Sequence, residues 1–201
     1  MAERPRAGRT RGRPSDESID RALLDAALAE FTERGYHAMS MESIAARAGV
    51  SKVSLYRRWS GKPDIMGDVF RLMSELTPAP DQGSFEADIR ALLEQYIGSN
   101  AASDAGKLLL RTMGEISGDA ELLALYRKHL LEPRMDQLRG LVTKARDRGE
   151  LLPDLAIDVA CAIIAGPLFL YYLTLLAQAD LALPADLVEH LTRSILRGVA
   201  K

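Results

Sequence analysis

The sequence predicts an all-α protein: a three-helix unit ending in a helix-turn-helix, followed by a larger helical bundle. Three observations carry this. Apolar residues recur at helical spacing from Ile19 to the last residues, with no run of strict alternation that would mark a strand. Gly and Pro fall between these stretches, as at Gly35, Gly49, Pro78 and Pro80. No block repeats at a fixed period. Of the 201 residues, 47% are hydrophobic and 27% charged, which suits a globular chain and not a disordered one.

The elements follow in order. Residues 1–16 hold Pro5, Gly8, Gly12 and Pro14 with almost no apolar side chain, and read as a flexible basic arm. From Ile19 the helical pattern begins; Leu24, Ala27, Leu28 and Phe31 repeat along it, acids sit near its start and Gly35 stops it. Ser40 is a good N-cap for a second helix running to about Ala48, and Ser51 for a third from about Lys52 to Trp59. Pro63 suits the first turn of a fourth, 62–76. Further stretches are expected at about 84–98, 104–116, 119–148, 155–178 and 184–199. Glu132-Pro133 is expected to kink or split the long one. The division is an arm at 1–16, a helix-turn-helix domain at 17–62 and a helical regulatory domain at 63–201.

Between Asp158 and Asp180 lie 21 consecutive uncharged residues, long enough to span a bilayer. Both flanks are acidic, Gly166-Pro167 interrupts the segment, and the next stretch is amphipathic and needs an apolar partner. A bundle helix buried on more than one side fits better, and no membrane partner is expected.

The net charge of −2 conceals an asymmetry. Residues 1–60 carry 11 Lys/Arg against 8 Asp/Glu, and residues 61–201 carry 15 against 20. Five arginines fall within the first 14 positions. A basic front end favours nucleic-acid contact, although the same composition suits a solvated tail. The single Cys161 excludes an internal disulfide and a multi-Cys zinc site. The polar, Arg-rich opening has no apolar run of the kind a secretory signal carries, so a cytoplasmic location is expected.

The segment 40–60 is the most informative. Two short capped helices flank a turn at Gly49, which adopts positive φ without penalty. Ala45 supplies the small side chain where the helices cross, and Ile44, Val50 and Leu55 can close the core behind them. In a helix-turn-helix the second helix enters the major groove. Its exposed residues, Lys52, Ser54, Tyr56, Arg57 and Arg58, donate hydrogen bonds to base edges or phosphates, and Val53 can touch a thymine methyl. A helical hairpin with a charged face is the plainer alternative.

Residues 41–62, MESIAARAGVSKVSLYRRWSGK, resemble the DNA-binding domain of the TetR family of bacterial transcription regulators, and Ala26 to Tyr36 fit the preceding helix. Glu132-Pro133-Arg134, the run Ala145 to Leu151 and Gly166-Pro167-Leu168 look like one variety of its regulatory domain. The resemblance implies a homodimer that binds a palindromic double-stranded operator and is released by a small-molecule effector, with no cofactor. It makes Lys52, Val53, Ser54 and Arg57 the base readers, and Ser40, Tyr56, Arg58 and Lys62 the phosphate contacts. Many relatives have His or Tyr then Phe in place of Arg58-Trp59, and Gly or Pro then Thr in place of Val53-Ser54. The operator sequence therefore does not transfer.

In the arm, Arg11-Gly12-Arg13-Pro14 matches the core of an AT-hook, whose arginines lie in a narrow minor groove. For the effector pocket the candidates are Leu93, Tyr96, Leu109, Met113, Tyr126, His129, Leu130, Phe169 and Tyr172, each of which can equally be bundle core. For the dimer interface, Ala160, Ile164, Pro167 and Tyr171 (with Thr174) form one face of the uncharged helix, and Leu187, Leu191 and Ile195 join it from the last helix. Ala162, Ala165, Phe169, Tyr172 and Leu176 form the opposite face. In the TetR plan the last two helices of each subunit make this interface, and an effector re-angles the 62–76 helix. Enzyme readings fare poorly: the three histidines are scattered, and no zinc pair, nucleophile elbow or phosphate loop is present. An architectural AT-rich DNA-binding protein and a helical small-molecule enzyme remain the alternatives.

Overall fold

The computed structural model describes residues 16–75, 79–98, 112–116, 118–177, 184 and 186–201. α1 (Asp16–Arg34) carries Asp16 and Glu17 in its first turn, where carboxylates complement the helix dipole, and Gly35 ends it at φ 84°. α2 (Met41–Ala48) is held by a reciprocal cap: the Ser43 amide donates to Ser40 Oγ and the Ser40 amide donates to Ser43 Oγ. Gly49 takes the left-handed conformation at φ 66°, and the Val50 amide reaches back to the Ala45 carbonyl. Ile44, Ala45 and Leu55 are buried behind that turn.

α3 (Lys52–Tyr56) stops short of the expected Trp59. Trp59 turns inward instead, buried with its indole Nε1 donating to Asp68 Oδ2 at 2.9 Å. Asp68 lies on α4 (Lys62–Glu75), so the turn that ends α3 is pinned to the helix that follows. Across the other side, Arg47 of α2 pairs with Glu30 and Glu33 of α1.

The rest comprises α5 (Phe85–Gly98), helical residues 112–116, α6 (Ala120–Tyr126), a π-helical turn (Arg127–Leu131), α7 (Glu132–Asp147), α8 (Ile157–Ala177) and α9 (Leu187–Val199). The remainder of the expected 104–116 stretch lies outside the described residues. The 119–148 run is interrupted just before Pro133: the α-helix ends at Tyr126, a π-helical turn follows, and a new α-helix begins at Glu132. A proline ring clashes with the carbonyl four residues back, and the wider turn before it, closed by the Glu132 amide on the Arg127 carbonyl, relieves that clash. α8 runs unbroken through Pro167. Among the described residues no helix is long and apolar enough to cross a membrane. The extended pairing seen among them is one antiparallel bridge, Leu151 to Ala200, which ties the end of α9 to the α7–α8 turn.

Two cores result. The first joins α1–α4 to Leu122, Tyr126 and Leu130, so packing continues across the boundary expected at residue 62. Its centre is an aromatic column: Phe31 of α1 meets Phe70 of α4 edge-on at 6.3 Å, and Phe70 meets Tyr126 of α6 edge-on at 5.8 Å. The second core is shared by α5, α7, α8 and α9, with Phe85, Leu93, Val142, Cys161, Ile164 and Ile195 at its heart.

Candidate nucleic-acid interface and effector cavity

α3 presents a donor-rich outer face. Val53 is 80% exposed, Tyr56 48% and the Arg57 side chain 64%. Lys52 is also exposed and makes only a loose contact with Glu42, Nζ to Oε1 3.4 Å. Such a surface ion pair is worth little and yields readily to a phosphate or a base edge. The N-cap Ser51 and the absence of acids in the first turn leave the helix N-terminus favourable to an anion.

Two residues expected at the DNA backbone donate within the chain. The Arg58 side chain is only 11% exposed; it is gripped by Asp20 and Asp16 of α1 and donates to the Ser54 carbonyl and hydroxyl. It locks α3 to α1 and does not face outward. Lys62 Nζ donates to the Tyr36 carbonyl at 2.9 Å and sits 4.8 Å over the Tyr36 ring, fastening the α1–α2 turn. Ser40 accepts the Ser43 amide with its hydroxyl oxygen in the cap of α2, which leaves its O–H free of that bond. Arg11 and Arg13 lie outside the described residues.

The same turn touches the regulatory part. The Tyr36 amide donates to Glu115 Oε2 at 2.5 Å, and its phenol reaches Glu121. Burial first, then the charges of Glu121 and Asp119, push the Tyr36 phenol up to about 12. A folded-state value above the unfolded one means the bound proton stabilises the fold below about pH 10, and that contribution is lost as pH rises to about 12. Tyr36→Phe should therefore flatten the alkaline decline of stability between about pH 10 and 12, as read by denaturant titration at each pH. An unaltered decline would assign it to other groups.

A cavity of about 170 Å³ opens between α5, α6, α7 and α8. Of the expected lining, Tyr96, Tyr126, Leu130 and Phe169 are in its wall. Leu93 is fully buried in the second core instead. His129 packs on α4, its ring 3.3 Å from where a Cβ on Gly67 would stand, and Met113 packs on the first core. Leu109 and the Tyr172 side chain lie outside the described residues. The sequence reading missed Arg134 and Gln137, which also line the cavity with Met135, Leu138 and Leu141. The available signal was a single cation between Leu130 and Leu138 at i±4, a charge inside an apolar stripe.

Two family models match the chain: the tetR family of bacterial regulatory proteins over residues 23–69, and the tetracyclin repressor-like C-terminal domain over residues 79–191. The HTH-type transcriptional regulator YdeS of Bacillus subtilis is 35% identical over 79% of this chain and 80% of its own.

The chain belongs to the TetR family.

The DNA-binding transcriptional repressor TetR of Mycobacteroides abscessus is 28% identical over 92% of this chain and 97% of its own. A solved TetR-family structure from Mesorhizobium loti superposes with a TM-score of 0.72 at 19% identity, covering 94% of this chain and all of that one, which shows the shared fold. As a TetR-family member the chain is a DNA-binding transcriptional regulator and not an enzyme.

The dimer face expected of a TetR-family chain needs correction. Ala160, Ile164 and Ile195 are buried inside their own bundle, because positions 160, 164 and 168 form the stripe of α8 that faces α5 and α7. Pro167, Leu187 and Leu191 are half-buried, and the Tyr171 side chain lies outside the described residues. The apolar surface that α8 turns outward is Val159, Ala162, Gly166, Phe169 (54% exposed) and Leu170 (64% exposed).

Proposed function

We propose that the chain is a cytoplasmic repressor that covers a palindromic operator as a dimer and is released by a small, largely apolar molecule. The observation that carries this reading is the Phe31–Phe70–Tyr126 column, which runs from the helix beneath the reading head, through α4, to the wall of the cavity. A ligand that displaces Tyr126 therefore displaces α4, on which the turn that ends α3 is pinned through Trp59 and Asp68. Binding shifts the equilibrium only by its differential affinity for the two states, and reversing 1:99 to 99:1 takes about 5.5 kcal/mol.

In this reading Lys52, Val53, Ser54, Tyr56 and Arg57 contact the operator, Ser40 offers its O–H to a phosphate, Arg58 and Lys62 hold the frame, and Arg11 and Arg13 add minor-groove contacts. The outward strip of α8, with Leu187 and Leu191 of α9, pairs with its copy. Arg57→Ala is expected to weaken preference at one base position by about 1–3 kcal/mol, measured by binding to single-substitution operators. The deciding experiment is footprinting on the DNA flanking the gene, repeated with a panel of apolar ligands. One protected palindrome, with half-sites about 34–36 Å apart or somewhat more, lost on adding a ligand, supports the reading. Uniform protection across AT-rich DNA points to an architectural protein instead.

A further inference from the structure

Among the described residues the wall of the cavity is apolar except where Arg134, Gln137, Tyr96 and Tyr126 reach it. Arg134 enters from the first turn of α7. Its Nε is buried and has no hydrogen-bond partner. Its Nη2 donates to the carbonyl of Met73, in the last turn of α4, at 3.2 Å, and its guanidinium carbon lies 5.5 Å over the Tyr96 ring. Among the described residues no carboxylate stands within ion-pair distance of it. Tyr126 does not neutralise it either, since burial pushes that phenol up and keeps it protonated. A cation set into an apolar wall with an unpaired N–H is costly until an anion completes it.

We propose that the effector is a compact apolar carboxylic acid and that Arg134 anchors its carboxylate. The adjacent Nε–H and Nη N–H groups of a guanidinium match the two oxygens of a carboxylate, a geometry that an ammonium does not offer. The small volume suits a phenyl ring or a short alkyl chain against Leu92, Leu138 and Leu168. The Met73 contact makes the anchor a sensor as well. A carboxylate on the guanidinium competes with the carbonyl at the end of α4, so occupancy is reported to the helix that leads to the DNA-binding unit. The inference rests on the repressor reading for this last step alone.

Calorimetry on the full chain without DNA tests the anchor, with 4-phenylbutyrate against 4-phenylbutanamide and octanoate against octanamide as shape-matched pairs. The acids are expected to bind about 10- to 100-fold tighter than their amides. Arg134→Gln should bring each pair to within about threefold, while Arg134→Lys keeps a reduced preference for the acid. Melting curves report whether the variants fold, and the wild-type comparison needs neither of them. Equal affinity for acid and amide, no binding of either acid, or an undiminished preference in Arg134→Gln overturns the proposal. The operator arm is separate: acids that bind with the expected preference yet leave the protein on its operator preserve the anchor and remove the repressor reading.

Discussion

Phe70→Ala is expected to cost about 3–5 kcal/mol of folding stability, the largest loss for a single truncation in the first core. Phe70 is fully buried and stands between Phe31 and Tyr126, touching both rings edge-on. Alanine removes the ring's transfer free energy, leaves a void between three helices, and deletes two aromatic contacts each worth about 0.5–1.5 kcal/mol beyond their area. Collapse into the void is hindered because α1, α4 and α6 are each fixed elsewhere, by Arg58 on Asp16 and Asp20, by Trp59 on Asp68, and by Tyr36 on Glu121. Phe70→Leu should cost far less, since most of the volume stays. Denaturant unfolding of the two variants checks the ordering, and equal losses would mean that the column is not a packed unit. In a variant that still folds, the cavity and the reading head should also lose their coupling, so that ligand binds without changing operator affinity.

Leu170→Glu is expected to give a folded monomer. The side chain is 64% exposed in the single chain, so a carboxylate there meets water and the melting temperature of the subunit should scarcely move. In the dimer proposed above, the same position is brought against its symmetry mate. The substitution then places two like charges in one apolar interface, a cost of about 3–5 kcal/mol or more and a loss of about 100- to 1,000-fold or more in dimer affinity. Operator binding should fall with it, because a palindrome is read by two copies. Sedimentation equilibrium measures the dissociation directly. Ile164→Glu is the control: Ile164 faces the interior of its own bundle, and a charge there should unfold the subunit itself. A dimer unmoved by Leu170→Glu would place the interface elsewhere.

Local signals were legible in the sequence wherever one residue decides one backbone feature. Ser40 and Ser51 cap the helices, Gly35 and Gly49 end them at positive φ, and Ala45 and Leu55 pack where expected. The length of α3 was not, because Trp59 leaves the helix for a tertiary partner, Asp68, which periodicity does not reveal. Ala160 and Ile164 were expected on the outward face of α8 and lie inward for a related reason. A helix apolar on every side carries no moment to orient it, and only packing against α5, α7 and α9 decides that Ala160 and Ile164 point inward. Charged residues misled in both directions. Arg58 looked available yet is bound by carboxylates 38 and 42 positions away, and Arg134 was passed over although it stands in the cavity wall.

The π-helical turn at Arg127–Leu131 holds one residue more than an α-helix would need to close it. That surplus residue behaves like a hyphen between two words. Upstream of it Tyr126 belongs to the aromatic column; downstream Arg134, Leu138 and Leu141 belong to the cavity and the second core. Delete it, and the two halves fuse into one regular helix turned by about 100° at the join. Arg134 would then leave the cavity as Tyr126 kept its place. Lineages can exchange side chains along this stretch and retune what the cavity accepts, but a one-residue deletion here would uncouple its recognition from its response at a stroke.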